Sequence, residues 1–247
     1  MNLSTSPSVI KAHDISRFQF RDTPFVKLMN KRIYNVLFIA SQYDMFILED
    51  DGRVDEQIFN EYTSLNLRYP PRFTQVSTAD QAMEELRANR YELIICMPNM
   101  DNHEIFAQAK IIKHKFPYIP IVLLTPFSKS VTRVLEREDV SGMDYVFSWL
   151  GNADLLLAII KLIEDSMNVE SDVKTVGVQT IMLVEDSVRF YSSALPLLYK
   201  YVLNESKEFS KEALNDHLRM MRMRGRPKIL LARNYEEAVS LYKKYGD

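Results

Sequence analysis

The sequence has little cysteine, glycine or proline, and it has no long apolar run. Its 247 residues include a single cysteine, Cys96, which excludes an internal disulfide and favours a reducing compartment. The 6 glycines and 10 prolines argue against long flexible linkers. The longest apolar stretch, residues 155–163, contains Lys161 and is far shorter than the roughly 20 residues of a membrane-spanning helix. Because the N-terminus also has no apolar signal-peptide core, we expect a cytoplasmic protein without a membrane partner.

The sequence also has no excess of charge of either sign. The chain has 31 Lys and Arg against 33 Asp and Glu, a formal net charge of −2, so no nucleic-acid partner is expected. Hydrophobic residues make up 47% and charged residues 26%, which is typical of a globular protein. The sequence contains no glycine-rich phosphate loop, no Ser/His/Asp set and no spacing of metal ligands. An enzyme in its own right is therefore the weakest of the functions considered.

Strand and helix patterns alternate through residues 34–167. Short apolar runs, typical of strands buried on both faces, occupy residues 36–40, 73–76, 93–96, 119–124 and 145–147. Helical patterns follow them at about 55–67, 78–89, 104–115, 129–138 and 152–167. Parallel strands need crossover helices, so this order predicts an α/β fold with a flavodoxin-like, doubly wound, parallel five-stranded sheet.

The same pattern begins a second time after residue 178. We interpret residues 168–178 as a polar linker, 180–184 and 228–232 as strands, and 188–223 and 235–245 as helices. The strand NVLFIAS at 35–41 compares well with TIMLVEDS at 180–187, which indicates an internal repeat. Residues 179–247 are then the first half of a second unit. Residues 1–33 form an N-terminal arm, with Phe18, Phe20 and Phe25 as docking residues.

Three segments of the first unit resemble the receiver domain of response regulators. They are RYELIICMPNMDN, IVLLTPFS and SGMDYVFSWLGNADLLLAII, which are similar to strand three, strand four, and strand five with the last helix of that family. The resemblance implies an acidic pair after strand one that holds Mg²⁺ and an Asp after strand three that accepts the phosphoryl group. It also implies a Ser or Thr after strand four and a Lys after strand five.

The first unit departs from this set at most positions. Ala40 and Ser41 stand at the acidic pair, Met97 at the phosphoacceptor, and Ser148 at the lysine, while Thr125 alone fits its role. A thioether cannot accept a phosphoryl group, and an Ala–Ser pair cannot hold Mg²⁺. We therefore predict a pseudo-receiver. The alternative is a register slip of one or two residues, although Asp101 would then still lie on the loop rather than at the strand end.

The second unit keeps two acidic residues at the matching place. Glu185 and Asp186 directly follow the strand at 180–184, so they are candidate Mg²⁺ ligands. The alternative is that Asp186 or Ser187 only caps the following helix. A phosphoacceptor for this unit would lie one strand beyond Asp247.

A basic cluster with interleaved methionines spans residues 219–228. We favour the end of an amphipathic helix whose Met side chains pack inward. The alternative is a surface for an acidic partner, because periodicity does not separate the two.

A wider resemblance covers nearly the whole chain. The stretches GRVDEQIFNEYTSLNLRYPPRF, DYVFSWLGNADLLLAIIKLIED and TIMLVEDSVRFYSS are similar to the N-terminal region of bacterial phosphoenolpyruvate synthase or pyruvate phosphate dikinase-like proteins. The resemblance implies an N-terminal fragment, with ATP bound only in the full-length protein. None of that group's ATP- or pyruvate-binding motifs occurs here.

These patterns together predict a non-catalytic, receiver-like regulatory or docking module. Its partners would be its own downstream domains or a second copy of the chain, which could pair with the open edge of the strand at 180–184. The alternative is a two-component response regulator whose second receiver is phosphorylated on an Asp beyond this chain. That alternative makes a histidine kinase the partner and Mg²⁺ the cofactor.

Overall fold

A computed structural model describes residues 28–49, 54–65, 67, 69–98, 104–126, 139–149, 153–211 and 223–246. The strands of the first unit are β1 (Asn35–Ile39), β2 (Arg72–Val76), β3 (Leu93–Cys96), β4 (Ile121–Pro126) and β5 (Tyr145–Trp149). Its helices are α1 (Gln42–Glu49), α2 (Val54–Ser64), α3 (Ala79–Ala88), α4 (Glu104–Lys115) and α5 (Asp154–Val176), with a short 3-10 helix at Val140–Gly142. Helix α1 was not predicted, and the helix predicted at 129–138 lies outside the described residues.

The five strands form one parallel sheet in the order β2-β1-β3-β4-β5, which confirms the predicted flavodoxin-like, doubly wound fold. Strand β3 is buried along its whole length because crossover helices cover both faces of the sheet. One apolar cluster lies on the side of α2 and α5. The other lies on the side of α3 and α4.

Helix α5 is longer than the sequence suggested. The interpretation of residues 168–178 as a polar linker is wrong, because α5 continues as far as Val176. The helix ends at Gly177, whose φ of 73° is favourable for glycine and whose N–H donates to the Val173 carbonyl. Polar residues suggested a linker, but Asn168 and Asp172 are buried in contacts with distant parts of the chain.

The second unit contains β6 (Thr180–Val184), α6 (Val188–Lys211), β7 (Lys228–Ala232) and α7 (Tyr235–Tyr245). Both predicted strands and the predicted helix at 235–245 are confirmed, and β6 and β7 form a parallel two-stranded sheet. Residues 212–222 of the predicted long helix lie outside the described residues. Strand β7 is buried along its length and packs on α5, so α5 supports both sheets.

The predicted arm is described only from residue 28 onward. Leu28 and Ile33 are buried, and the chain between them runs alongside α5. The docking residues Phe18, Phe20 and Phe25 lie outside the described residues. Among the helices of the described ranges, none is long and apolar enough to span a membrane.

Candidate functional site

The carboxyl ends of β1 and β3 carry apolar side chains where a receiver carries acids. The Met97 N–H donates to the Ile39 carbonyl at 2.9 Å, and the Ala40 N–H donates to the Val76 carbonyl at 3.1 Å, so both residues extend the sheet's hydrogen bonding. Ala40 and Met97 are each 3% exposed and belong to the apolar cluster on the α2 and α5 side. The structure therefore places a packed thioether directly after β3, where the receiver resemblance predicts the phosphoacceptor.

Cys96, beside Met97, is not a substitute nucleophile. Its side chain is buried, and burial raises the pKa of the thiol to about 12. The thiolate, which is the nucleophilic form, is therefore scarce at neutral pH.

Ser41 caps a helix rather than holding a metal. Its hydroxyl donates to Asp44 Oδ2 at 2.6 Å and accepts the Asp44 N–H at 3.1 Å, at the start of α1. This is a form of capping box, in which the two residues satisfy each other. Sequence reasoning missed Asp44, although the Ser-x-x-Asp spacing after β1 was a signal for it.

A cavity of about 290 Å³ opens next to Ala40, Ser41 and Met97. It lies where the order of the strands reverses, between β1 and β3, which is the usual ligand position of such folds. Ser77, Thr78 and Asp80 also line it, and its described lining includes no lysine, arginine or histidine. The described part of the cavity lining therefore offers no side-chain cation to a phosphoryl group.

Thr125 and Ser148 are register partners on β4 and β5, and both are buried. The Thr125 hydroxyl donates to the Phe147 carbonyl at 3.2 Å. The Ser148 N–H donates at 2.9 Å to the hydroxyl of Ser192 on α6. Neither residue is among the described lining of the cavity that Ala40, Ser41 and Met97 share.

Helix α6 covers the outer edge of β5. Besides the bond from Ser148 to Ser192, the Tyr191 hydroxyl donates to the Val146 carbonyl, and its ring lies edge-on to Phe147 with 5.4 Å between centroids. An edge strand is open to pairing with other chains unless something covers it. In this chain the second unit covers it.

The Mg²⁺ that the receiver resemblance implies does not fit the first unit, because Ala40 offers no oxygen side chain and Ser41 is engaged in capping. In the second unit, Glu185 Oε1 accepts the Ser187 N–H at 2.9 Å, while Asp186 is exposed. Glu185, rather than Asp186, therefore makes a local turn contact before α6. Within the described ranges, no cluster of three or more His, Cys, Asp or Glu is arranged to hold a metal. The metal role of Glu185 and Asp186 stays a prediction.

A buried ionic cluster joins the two units at Asp165 of α5, which is 0% exposed. Arg226 donates from Nη1 to Asp165 Oδ2 at 2.9 Å and from Nη2 to Asp165 Oδ1 at 2.7 Å. Oδ2 also accepts the Tyr199 hydroxyl at 2.9 Å and the Ile229 N–H at 3.0 Å. Burial, followed by the Asp165 charge, raises the pKa of Tyr199, so its phenol remains a donor.

A second buried pair lies two turns further along α5. Lys228 Nζ is 3.1 Å from Asp172 Oδ2 and donates to the Arg224 carbonyl at 3.1 Å. Burial, and then the nearby Arg226 charge, lower the pKa of Lys228 to about 8. Of the three described charges of the predicted basic cluster, Arg226 and Lys228 are buried at the junction and Arg224 is half-buried. Arg226 and Lys228 therefore do not form a surface for an acidic partner, whereas Arg219 and Arg222 lie outside the described residues.

No family model and no curated protein matches this chain. Among solved structures, it is similar to the signal receiver domain of an HD domain-containing protein from Pseudomonas fluorescens Pf-5, at 15% identity and a TM-score of 0.39, over 57% of this chain and 94% of that one. It is also similar to the REC domain of AraT, a response regulator from Geobacillus stearothermophilus, at 15% identity and a TM-score of 0.39, over 56% and 98%. NtrX from Brucella abortus in complex with ADP matches at 14% identity and a TM-score of 0.41, over 74% of this chain and 35% of that one. These similarities concern the fold alone, and the receiver-like topology rests on the strand order described above.

Proposed function

We propose that this chain is a non-catalytic, receiver-like regulatory module that acts through packing contacts rather than by accepting a phosphoryl group. The observation that carries the proposal is the buried, apolar pair Ala40 and Met97 at the strand ends where acids are needed. Phosphoryl transfer depends on a metal and fixed charges that neutralise the transferred group. The described lining of the neighbouring cavity has no side-chain cation.

The contact surface of a module of this kind would be its last helix and its outer strand. Here α5 and the edge of β5 already hold the second unit, through buried ion pairs and hydrogen bonds. The module's output would thus be the position of the second unit. Candidate partners beyond it are downstream domains of a longer protein or a second copy pairing with β6, which bonds only to β7 among the described strands.

Incubation of the whole chain with acetyl phosphate and Mg²⁺, followed by intact-mass and peptide mass spectrometry, tests this function. We expect no acid-labile gain of one phosphoryl group in the peptides that contain Ala40, Met97 and Thr125. A stoichiometric adduct there would contradict the proposal. It would also favour the register-slip alternative, with Asp101 as the first residue to examine.

A two-component response regulator is the second candidate. Asp186 is exposed just beyond the carboxyl end of β6, where its carboxylate is accessible to a metal ion, and β6 repeats the pattern of β1. In this function a histidine kinase is the partner, and the acceptor Asp is encoded beyond Asp247. Sequencing the transcript downstream separates the candidates, because a strand ending in Asp supports phosphorylation. A pyruvate- or ATP-binding domain would instead support a place in a phosphoenolpyruvate synthase-like enzyme, a resemblance for which the comparisons offer no support.

A further inference from the structure

Residues 28–33, here called the strap, follow α5 in the opposite direction to the helix. Three alternate backbone N–H groups donate to three side chains spaced one helical turn apart. The bonds are Ile33 to Glu164 Oε1 at 3.2 Å, Lys31 to Asn168 Oδ1 at 2.9 Å, and Met29 to Asp172 Oδ2 at 3.2 Å. Four residues of an α-helix rise about 6 Å, so α5 presents a regularly spaced ladder of acceptors to the strap.

The ladder is buried and recognises the backbone. Glu164, Asn168 and Asp172 are 3%, 0% and 1% exposed, whereas the side chain of Lys31 is exposed. Asn168 Nδ2 also donates to the Lys31 carbonyl at 2.6 Å, so the Asn168 side chain bonds to both the N–H and the carbonyl of Lys31. If the strap left, each of these buried acceptors would lose one backbone donor, which is costly away from water.

Asp172 belongs to the strap and to the second unit at the same time. Its Oδ2 accepts the Met29 N–H and lies 3.1 Å from Lys228 Nζ at the start of β7. Lys228 is fully buried, and the carboxylates of Asp165 and Asp172 both favour its charged form. Both the strap and the start of β7 therefore contact the Asp172 carboxylate and hold it in place.

We propose that the strap is a transmission element, in which release of residues 28–33 from α5 loosens the hold of α5 on β7. Strap and second unit stabilise each other through Asp172, and a coupling of this kind is reciprocal. A partner that draws residues 28–33 away from α5 would then alter the second unit without touching the first sheet. This inference does not rest on the absence of phosphorylation.

Replacement of Lys31 by proline tests the ladder in the full chain. Lys31→Pro removes one N–H donor at an exposed position, and Lys31→Ala, which keeps the N–H, is the matched control. Hydrogen exchange read by NMR should show faster exchange at Ile33 and at Ile229 and Leu230 of β7, by about five-fold or more, the effect of losing one hydrogen bond. Amides of β1 and β3 should keep wild-type rates and serve as the folding control.

Each other result contradicts the proposal. An unchanged rate at Ile33 means that the N–H ladder does not hold the strap. A fast strap beside an unchanged β7 means that no coupling passes through Asp172. The reverse test is Lys228→Met, which should accelerate exchange at Met29 by a similar factor, and a wild-type rate there would equally refute the coupling.

Discussion

Removal of the Asp165 carboxylate should be among the most damaging single changes at the junction. Asp165→Ala deletes the acceptor of four hydrogen bonds, two of them from Arg226, whose side chain is 2% exposed. Breaking a buried ion pair by removing one partner costs about 3–5 kcal/mol, because the remaining charge stays buried. For a chain of this length, about 2–4 °C of melting temperature is lost per kcal/mol. The melting temperature should therefore fall by roughly 6–20 °C.

Urea unfolding followed by circular dichroism measures this loss, with two comparisons. Glu170→Ala, on the same helix, removes an exposed carboxylate near Lys174 and should leave stability almost unchanged. The double variant Asp165→Leu with Arg226→Met leaves no unpaired charge and should recover part of the loss, while Tyr199 and Ile229 still lack their acceptor. A cost below about 1 kcal/mol for Asp165→Ala, or a double variant as unstable as the single one, would refute the reasoning.

Three further changes follow from the same contacts. Lys228 has a folded pKa of about 8 against 10.5 for the free side chain, so between these values the unfolded chain binds more protons and stability rises with pH. From pH 8 to 10 the wild type should gain about 2–3 kcal/mol of urea-unfolding free energy relative to Lys228→Met; parallel pH profiles of the two proteins would be the contrary result. Met97→Asp places a carboxylate at a position that is 3% exposed, so the free energy of unfolding should fall by about 2–4 kcal/mol. The variant should still take no phosphoryl group from acetyl phosphate, which mass spectrometry checks. At Gly142 an added Cβ would lie 2.7 Å from Lys110 N, so Gly142→Ala should cost about 1–3 kcal/mol in thermal unfolding; the exposed control Ser141→Ala should not, and equal costs would count against the close approach.

The first sheet was predictable because buried parallel strands appear in sequence as continuous apolar runs. The run LIIC of β3 is buried on every residue, and right-handed crossovers restrict the strands that can lie beside it. The apolar character of the predicted site was equally visible, since Ala40 and Met97 directly follow the first and third apolar runs. Sequence matching could therefore place these two residues before any contact was known.

The junction was not predictable from local sequence. Asn168 and Asp172 suggested a solvated linker, yet their partners Lys31 and Met29 lie 137 and 143 positions away. Arg226 lies 61 positions from Asp165, so a basic cluster seen in sequence became a set of buried ion pairs. A pattern of residue types shows which groups need partners, but only the fold shows where those partners are.

The most direct test of the central claim is hydrogen exchange of the whole chain with and without acetyl phosphate and Mg²⁺. A receiver that accepts a phosphoryl group would change protection at the ends of β3, β4 and β5 and at the contact of Ser148 with Ser192. Because Met97 offers no acceptor, we predict superimposable exchange across residues 28–176. Reproducible, phosphodonor-dependent changes in protection at Met97, Thr125 or Ser148 would contradict the account.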